Sequence, residues 1–339
     1  MLYDGGILFP GAFLHGAGVL IGDDTQNNYS VPTEVIFNKQ VKSIEAGYGH
    51  FLIIDEDDFL WGCGINSDGE LGDGTRVTRL SPVQIGSKTW QAIAAGSTHS
   101  LAIDTDGYLF EWGRDVNLSP FQIGSKTWQA IAAGAAHSLA IDTDGLLFAW
   151  GINNNGQVGD GTTNNVWSPV QIGSKTWQAV AGGENHSLAI DSDGYLFAWG
   201  SNDSYQLGIG LISGNQLTPV QVGSNTWKAI SAGEGSSMAI LTSTGRLFGF
   251  GQKSTGRLGG GSTTGYFASP TLVLDIACSY VGCGENHTVA IADSGEIYVT
   301  GFNNYGKLGL GDEVTRTSFT LQGTWTIIAA GSGLTLFYL

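Results

Sequence analysis

Seven copies of one stretch of text, four short apolar runs within each copy, and two chain ends that each supply half a copy predict the fold class. It is all-β: a single seven-bladed β-propeller with four-stranded blades, its ring closed by strands from both termini. The text is clearest from Trp177 to Gly208, W-Q-A-V-A-G-G-E-N-H-S-L-A-I-D-S-D-G-Y-L-F-A-W-G-S-N-D-S-Y-Q-L-G. It recurs from Trp90, Trp128 and Trp227, and more loosely from Val41, Cys278 and Trp325. Successive starts lie 47 to 51 residues apart, except for an interval of 38 between Trp90 and Trp128. With no linker anywhere, 339 residues read as one closed array rather than two domains. The blades then fall at residues 41–89, 90–127, 128–176, 177–226, 227–277 and 278–324, with 325–339 plus 1–40 as the seventh.

Each element follows from its local text. In the copy starting at Trp128 the runs are W-Q-A-I-A-A, H-S-L-A-I-D, L-L-F-A-W and, after a long loop, S-P-V-Q-I. Runs of four to six residues bounded by Gly, Asp, Asn or Pro fit strands and are too short for helices. The D-T-D-G and D-S-D-G junctions are hairpin signals, because Gly takes positive φ and Asp bonds the local backbone. Proline opens the fourth run at Pro82, Pro120, Pro169, Pro219 and Pro270, which suits an outer strand. The C-terminus stops after two runs, W-T-I-I-A-A-G and L-T-L-F-Y-L. At the N-terminus D-G-G-I-L-F, ending near Pro10, and P-T-E-V-I-F supply the third and fourth, so the two ends are expected to share a blade.

Composition narrows the function. Glycine is abundant at 53, but it recurs at fixed offsets beside apolar residues, unlike a disordered chain. Lys+Arg of 14 against Asp+Glu of 30 leaves a net charge of −16, which disfavours nucleic acid and anionic membranes as partners. Three cysteines (Cys63, Cys278, Cys283) are too few for a disulfide scaffold, and Cys278 stands in a tryptophan slot as a small buried hydrophobe. The N-terminus carries no signal-peptide pattern and no run reaches the ~20 apolar residues of a membrane span, so synthesis in a cytoplasm is expected.

Blocks such as W-G-I-N-N-N-G-Q-V-G-D-G, from Trp150 to Gly161, are followed by S-P and then by W-x-x-I-x-x-G-x-x-H-S-L-A-I. This pattern resembles the regulator-of-chromosome-condensation repeat, and the resemblance covers essentially the whole chain. It implies a seven-bladed propeller, in agreement with the count of copies. Members of that family include a nucleotide-exchange factor, a β-lactamase inhibitor and a plant photoreceptor. The first role is disfavoured by the acidic balance and the third by the lack of recurrent Trp-Arg pairing. One copy departs from the pattern: E-W-G-R-D-V-N-L-S-P, from Glu111 to Pro120, omits the Gly-rich loop, and is expected to expose Glu111, Arg114 and Asp115.

No catalytic or cofactor motif is present. His50, His99, His137, His186 and His287 recur at one phase, one to a blade, too far apart to share a metal, and read as structural ties. The pairs Asp104/Asp106, Asp142/Asp144 and Asp191/Asp193 lack the further acidic ligands of a calcium loop and read as hairpins. Tryptophans fall at strand starts (Trp90, Trp128, Trp177, Trp227, Trp325) and at third-run ends (Trp61, Trp112, Trp150, Trp199), where they should pack neighbouring blades. Neither a cofactor nor a metal is expected, and no enzyme activity.

Binding is expected on the loop face, where Asn153, Asn154, Asn202, Tyr205, Tyr266, Asn303, Asn304 and Tyr305 recur at one point of successive blades. Arg114, Asp115 and the out-of-phase Trp167 join this candidate set. The competing reading of the asparagines is turn chemistry, since Asn tolerates the left-handed region. The near-verbatim repeats and Ser/Thr/Asn/Gly richness point first to a structural component of a phage virion, on the head or tail surface. The alternatives are an adaptor or inhibitor that binds one protein, and a lectin-like binder of glycans.

Overall fold

The computed structural model describes residues 13–114, 117–210 and 214–338. The first blade is built from Val41–Ala46, His50–Asp55, Phe59–Gly64 and the first half of Arg79–Ala95, each antiparallel to the next. The second half of Arg79–Ala95 pairs with His99–Asp104 in the neighbouring blade. Asn117–Ala133, Val166–Gly182, Gln216–Ala232 and Tyr266–Cys283 do the same, each serving as outer strand of one blade and inner strand of the next. In all of these but Tyr266–Cys283 the bend between the halves is a positive-φ glycine, Gly86, Gly124, Gly173 or Gly223, in the repeated G-S-K/N-T text.

Second strands such as His99–Asp104 are buried at every residue, because blades pack on both of their sides. Outer strands alternate between part-buried and exposed residues. The core is correspondingly divided: seven apolar clusters occupy the seven seams between adjacent blades. Trp90, Trp112, Trp150, Trp199 and Trp227 are nearly inaccessible within them. Burial of a large apolar side chain of this kind contributes on the order of 1.5–3 kcal/mol.

Both chain ends meet in one sheet, in the order Tyr29–Glu34, Leu14–Gly18, Leu334–Tyr338, Ile327–Ala330. The third strand of this closing blade is therefore Leu14–Gly18 and not residues 4–9, which with Pro10 lie outside the described residues. The fourth begins at Tyr29, slightly before the expected P-T-E-V-I-F. A positive-φ glycine sets this register. Gly18 has φ 105° and ends the strand as Gly64, Gly113, Gly151, Gly200 and Gly301 end theirs, with Gly251 one residue before the end of Arg246–Gln252. A Cβ there would sit 2.1 Å from the Gly333 carbonyl oxygen. The same phasing corrects Trp61. Trp61 faces Ile53, the register at which Phe110 faces Ala102, whereas Cys63 takes the tryptophan position of Trp112 and is fully buried.

Candidate binding face

One face of the ring carries the D-x-D-G hairpins and the bends between blades, and the hairpin carboxylates there are already engaged. Asp104 Oδ1 accepts the N–H groups of Asp106 and Tyr108, while Oδ2 takes Lys88 Nζ at 2.7 Å. Lys88 in turn lies 4.9 Å over the Phe110 ring, against which Trp90 packs edge-on. Asp142 with Lys126 and Asp191 with Lys175 repeat the arrangement. The verbatim G-S-K-T-W text is thus a staple, and these carboxylates already have partners.

The opposite face carries the Gly-rich loops. Asn153, expected to meet a partner, is fully buried: its amide donates to Asp160 Oδ1 and the Thr162 carbonyl, and its Oδ1 accepts the Val158 N–H at 2.9 Å. Asn202 and Asn303 are buried in the same way, with Oδ1 accepting from Leu207 and Leu308. All three hold their own loops closed, as does Asn66, so turn chemistry wins at these positions. Each loop also reaches across a seam. The N–H groups of Gly74, Gly161, Gly210, Gly261, Gly311 and Asp24 donate to the carbonyls of Leu118, Leu217, Ala268, Thr317, Ser30 and Leu80 on the next outer strand, at 2.7–2.9 Å.

Beneath the loops the histidines form inter-blade latches. The Ser100 hydroxyl donates to the Glu70 carbonyl at 2.8 Å, so its lone pairs face His50 Nε2, which donates at 2.9 Å. His137 to Ser187 and His186 to Ser237 repeat this, with the Gln157 and Gln206 carbonyls receiving the hydroxyl protons. His287 reaches Thr335 at 2.9 Å. The Nδ1 atoms are buried without a partner, so a second ring proton would have no acceptor. Burial lowers the pKa to about 4 for His50 and about 3 for His137 and His186, and these rings stay neutral. Two seams lack the latch, where Ser236 and Leu334 occupy the histidine position. At the first, the Arg257 guanidinium pairs with Glu234 at 3.0 Å and with Asn286.

The copy without a loop solves the same problem with side chains. Elsewhere a loop carbonyl, from Glu70 or Gln157, accepts both the serine hydroxyl and the tryptophan Nε1–H of the next blade. Here the Glu111 carboxylate takes Trp150 Nε1–H at 3.0 Å and the Ser138 hydroxyl at 3.3 Å. Arg114 Nη1 lies 3.3 Å from Glu111, and its Nη2 donates toward His99 Nε2 at 3.0 Å. Glu111 and Arg114 are only 16% and 17% exposed, so both are folded inward rather than presented as expected. Asp115 lies outside the described residues. His99 Nε2 lies 3.0 Å from Ser138 Oγ as well, so this ring keeps the histidine–serine latch of the other seams with the guanidinium beside it.

Around the central channel, of about 400 Å³, the turns between first and second strands place Glu184, Glu234 and Glu285 on three successive blades. Burial first, then the two neighbouring carboxylates, raise the pKa of Glu184. Tyr48, Ser97, Ala135 and Ser332 line the other half of this mouth. Inside, Glu45 is exposed to the lumen, and the protein surrounding the channel raises its pKa.

The exposed members of the candidate set are Asn154, Trp167, Tyr266, Asn304 and Tyr305; Tyr205 is half-buried and stacks on Tyr266 at 5.4 Å. They do not form one patch: Trp167 stands on the outer rim in another sector, beside Phe121. Sequence reasoning missed Tyr48, Phe121 and the three mouth glutamates. Their phase, one residue after the glycine of G-x-x-H, was available for Tyr48 and the glutamates.

Fold and seams together define a closed seven-bladed propeller whose loops latch each blade to the next. The regulator of chromosome condensation (RCC1) repeat matches residues 57–103, 144–190, 193–240 and 244–291, more than half of the chain. A second form of the repeat matches 41–70, 128–157, 177–206 and 277–307. The chain belongs to this repeat family. It is similar to the human X-linked retinitis pigmentosa GTPase regulator, 37% identical over 90 residues, which are 26% of this chain and 9% of that protein. It is also similar to mouse protein RCC2, 36% identical over 77 residues, 22% of this chain and 15% of RCC2. The matches thus span well under a fifth of these relatives' own length. Among solved structures, human WBSCR16 aligns with a TM-score of 0.87 at 20% identity, covering 97% of this chain and 98% of that one. Prp20p from Saccharomyces cerevisiae, described with its binding to Gsp1p and histones, aligns at 0.88 and 20%, covering 96% and 91%.

Proposed function

We propose that this chain is a non-catalytic, protein-binding scaffold whose loop face, around the channel mouth, receives a basic segment of its partner. The observation that carries this is the arc of Glu184, Glu234 and Glu285, three carboxylates held on rigid turns against two cations among the described residues, Arg257 paired with Glu234 and Lys307 acting on Glu285. Gathering like charges destabilises a fold, and a cationic partner would relieve it. Prp20p, whose fold this chain shares, binds Gsp1p and histones. The non-catalytic part of the reading is supported by how the polar groups of the loops are used, since the buried asparagines, serines and histidines hold the ring together.

An oligolysine peptide should bind the full chain with an affinity that falls as salt rises. The double variant Glu184→Gln/Glu285→Gln should weaken it about tenfold, roughly 1.4 kcal/mol. Binding that ignores salt, or a double variant that binds like the parent, would sink this reading.

Within it, we propose attachment to a virion surface, a reading supported by the near-verbatim repeat text. Particles purified from the producing organism should then contain the chain in a fixed copy number by mass spectrometry. Recovery with a single soluble partner, and never with particles, would favour an adaptor instead.

A further inference from the structure

The sector that lacks a Gly-rich loop also leaves something uncovered. Fourteen residues separate Gly151 from Val166 in the third blade, but only three separate Gly113 from Asn117 in the second. Six loops each donate one N–H to the carbonyl of the second residue of the next outer strand, or of the third, Ala268, in Tyr266–Cys283. The seventh such carbonyl belongs to Trp167, and among the described residues no N–H reaches it. Beside it lies a cleft of about 520 Å³ lined by Glu111, Phe121, Ile123, Trp150, Trp167 and Pro169. Trp167 is 66% and Phe121 58% exposed, two large aromatic side chains side by side at one site.

The six covered seams show what fits there. At each the covering segment is a tight turn whose donor is a positive-φ residue, glycine in five of six, placed where the neighbouring strand backbone passes close. In those blades a buried loop residue (Leu71, Val158, Leu207, Leu258, Leu308 or Ile21) also plugs the blade beneath. In the second blade Glu111 stands opposite Phe121, as Gly62, which touches Leu71 in the first blade, stands opposite Val83. An incoming segment therefore needs no apolar plug, only an N–H for Trp167 and an apolar flank for the two aromatic rings.

We propose that this cleft is a docking site for a glycine-bearing turn of a partner protein, which supplies in trans the loop that the second blade lacks. The turn donates a main-chain N–H to the Trp167 carbonyl and packs against Trp167 and Phe121. This surface lies at the outer rim and involves none of the mouth glutamates, so the two sites are tested independently.

The probe is a cyclised peptide of residues 156–165, the chain's own G-Q-V-G-D-G-T-T-N-N loop, titrated into the full chain and followed by NMR. Shift changes should concentrate at Trp167, Ser168 and Phe121 and persist in Glu184→Gln/Glu285→Gln. N-methylation of the amide of Gly161 in the peptide should weaken binding about tenfold, the effect of one lost hydrogen bond. Trp167→Ala, an exposed substitution that leaves the core alone, should weaken it further. No change at the cleft with millimolar peptide would overturn the proposal. So would equal binding of the N-methylated peptide, or a response at Trp167 to oligosaccharides but not to peptide.

Discussion

Two seams of one ring do the same job by different means. Between the third and fourth blades the main-chain carbonyl of Gln157 accepts the Ser187 hydroxyl and Trp199 Nε1–H, and the Gly161 N–H closes the rim on Leu217. Between the second and third, a carboxylate and a guanidinium from Glu111 and Arg114 replace that carbonyl, and the rim is left open. A main-chain acceptor tolerates sequence change, because any residue carries it. A side-chain acceptor does not. The seam without a loop is therefore expected to be the mutable weak point of the ring, and also the one with surface to spare.

The most severe break removes the contrast altogether. Deleting residues 325–339 takes away the two inner strands of the closing blade, uncovering the edges that they pair and the clusters on both sides. Cooperative thermal unfolding should be lost, and a melt like that of the full chain would contradict closure.

Acid should come next in size. A histidine whose folded pKa lies below its unfolded value of about 6.5 favours the neutral ring, so the unfolded state binds more protons in between. Stability from each latch is complete above pH 6.5 and drains as pH falls toward about 4 for His50 and about 3 for His137 and His186. The limit is ~1.4 kcal/mol per pH unit for each ring. Denaturant midpoints measured from pH 7 to pH 4 should fall steeply, and a flat profile would mean that the rings are not buried neutral. Nitrogen chemical shifts should report the Nε2–H tautomer for His50, His137 and His186.

Single substitutions then sharpen the comparison. Glu111→Ala leaves Trp150 Nε1–H and the Arg114 charge without their acceptor and should cost about 3–5 kcal/mol. Gln157→Ala keeps the carbonyl and loses only the side-chain bond to the Asn155 N–H, about 1 kcal/mol. On the other face Lys88→Met should change stability by less than about 1 kcal/mol, since the lysine is 52% exposed. Chemical denaturation of the three variants side by side checks the ranking.

The ring itself was legible because periodicity survives drift: seven copies, short strands and complementary ends need no contact information. Register was legible only where the marker was chosen well. Tryptophan misled at Trp61, and the apolar run D-G-G-I-L-F misled as the third strand of the closing blade, whereas the positive-φ glycine of Gly18 and Gly64 held phase in all seven blades. The candidate face was less legible. Asn153 and Asn304 look alike in sequence, yet one is fully buried and the other exposed, because only the loop's closure decides which amide turns inward. Glu111 and Arg114 read as exposed charges because their buried partners, Trp150, Ser138 and His99, come from other strands.

A double-mutant cycle addresses the difference between the two seams most directly. Glu111→Gln combined with Trp150→Phe should show a coupling of about 1–2 kcal/mol, whereas Gln157→Ala combined with Trp199→Phe should show almost none. Equal couplings at the two seams, or none at Glu111, would mean that side chains do not stand in for the missing loop.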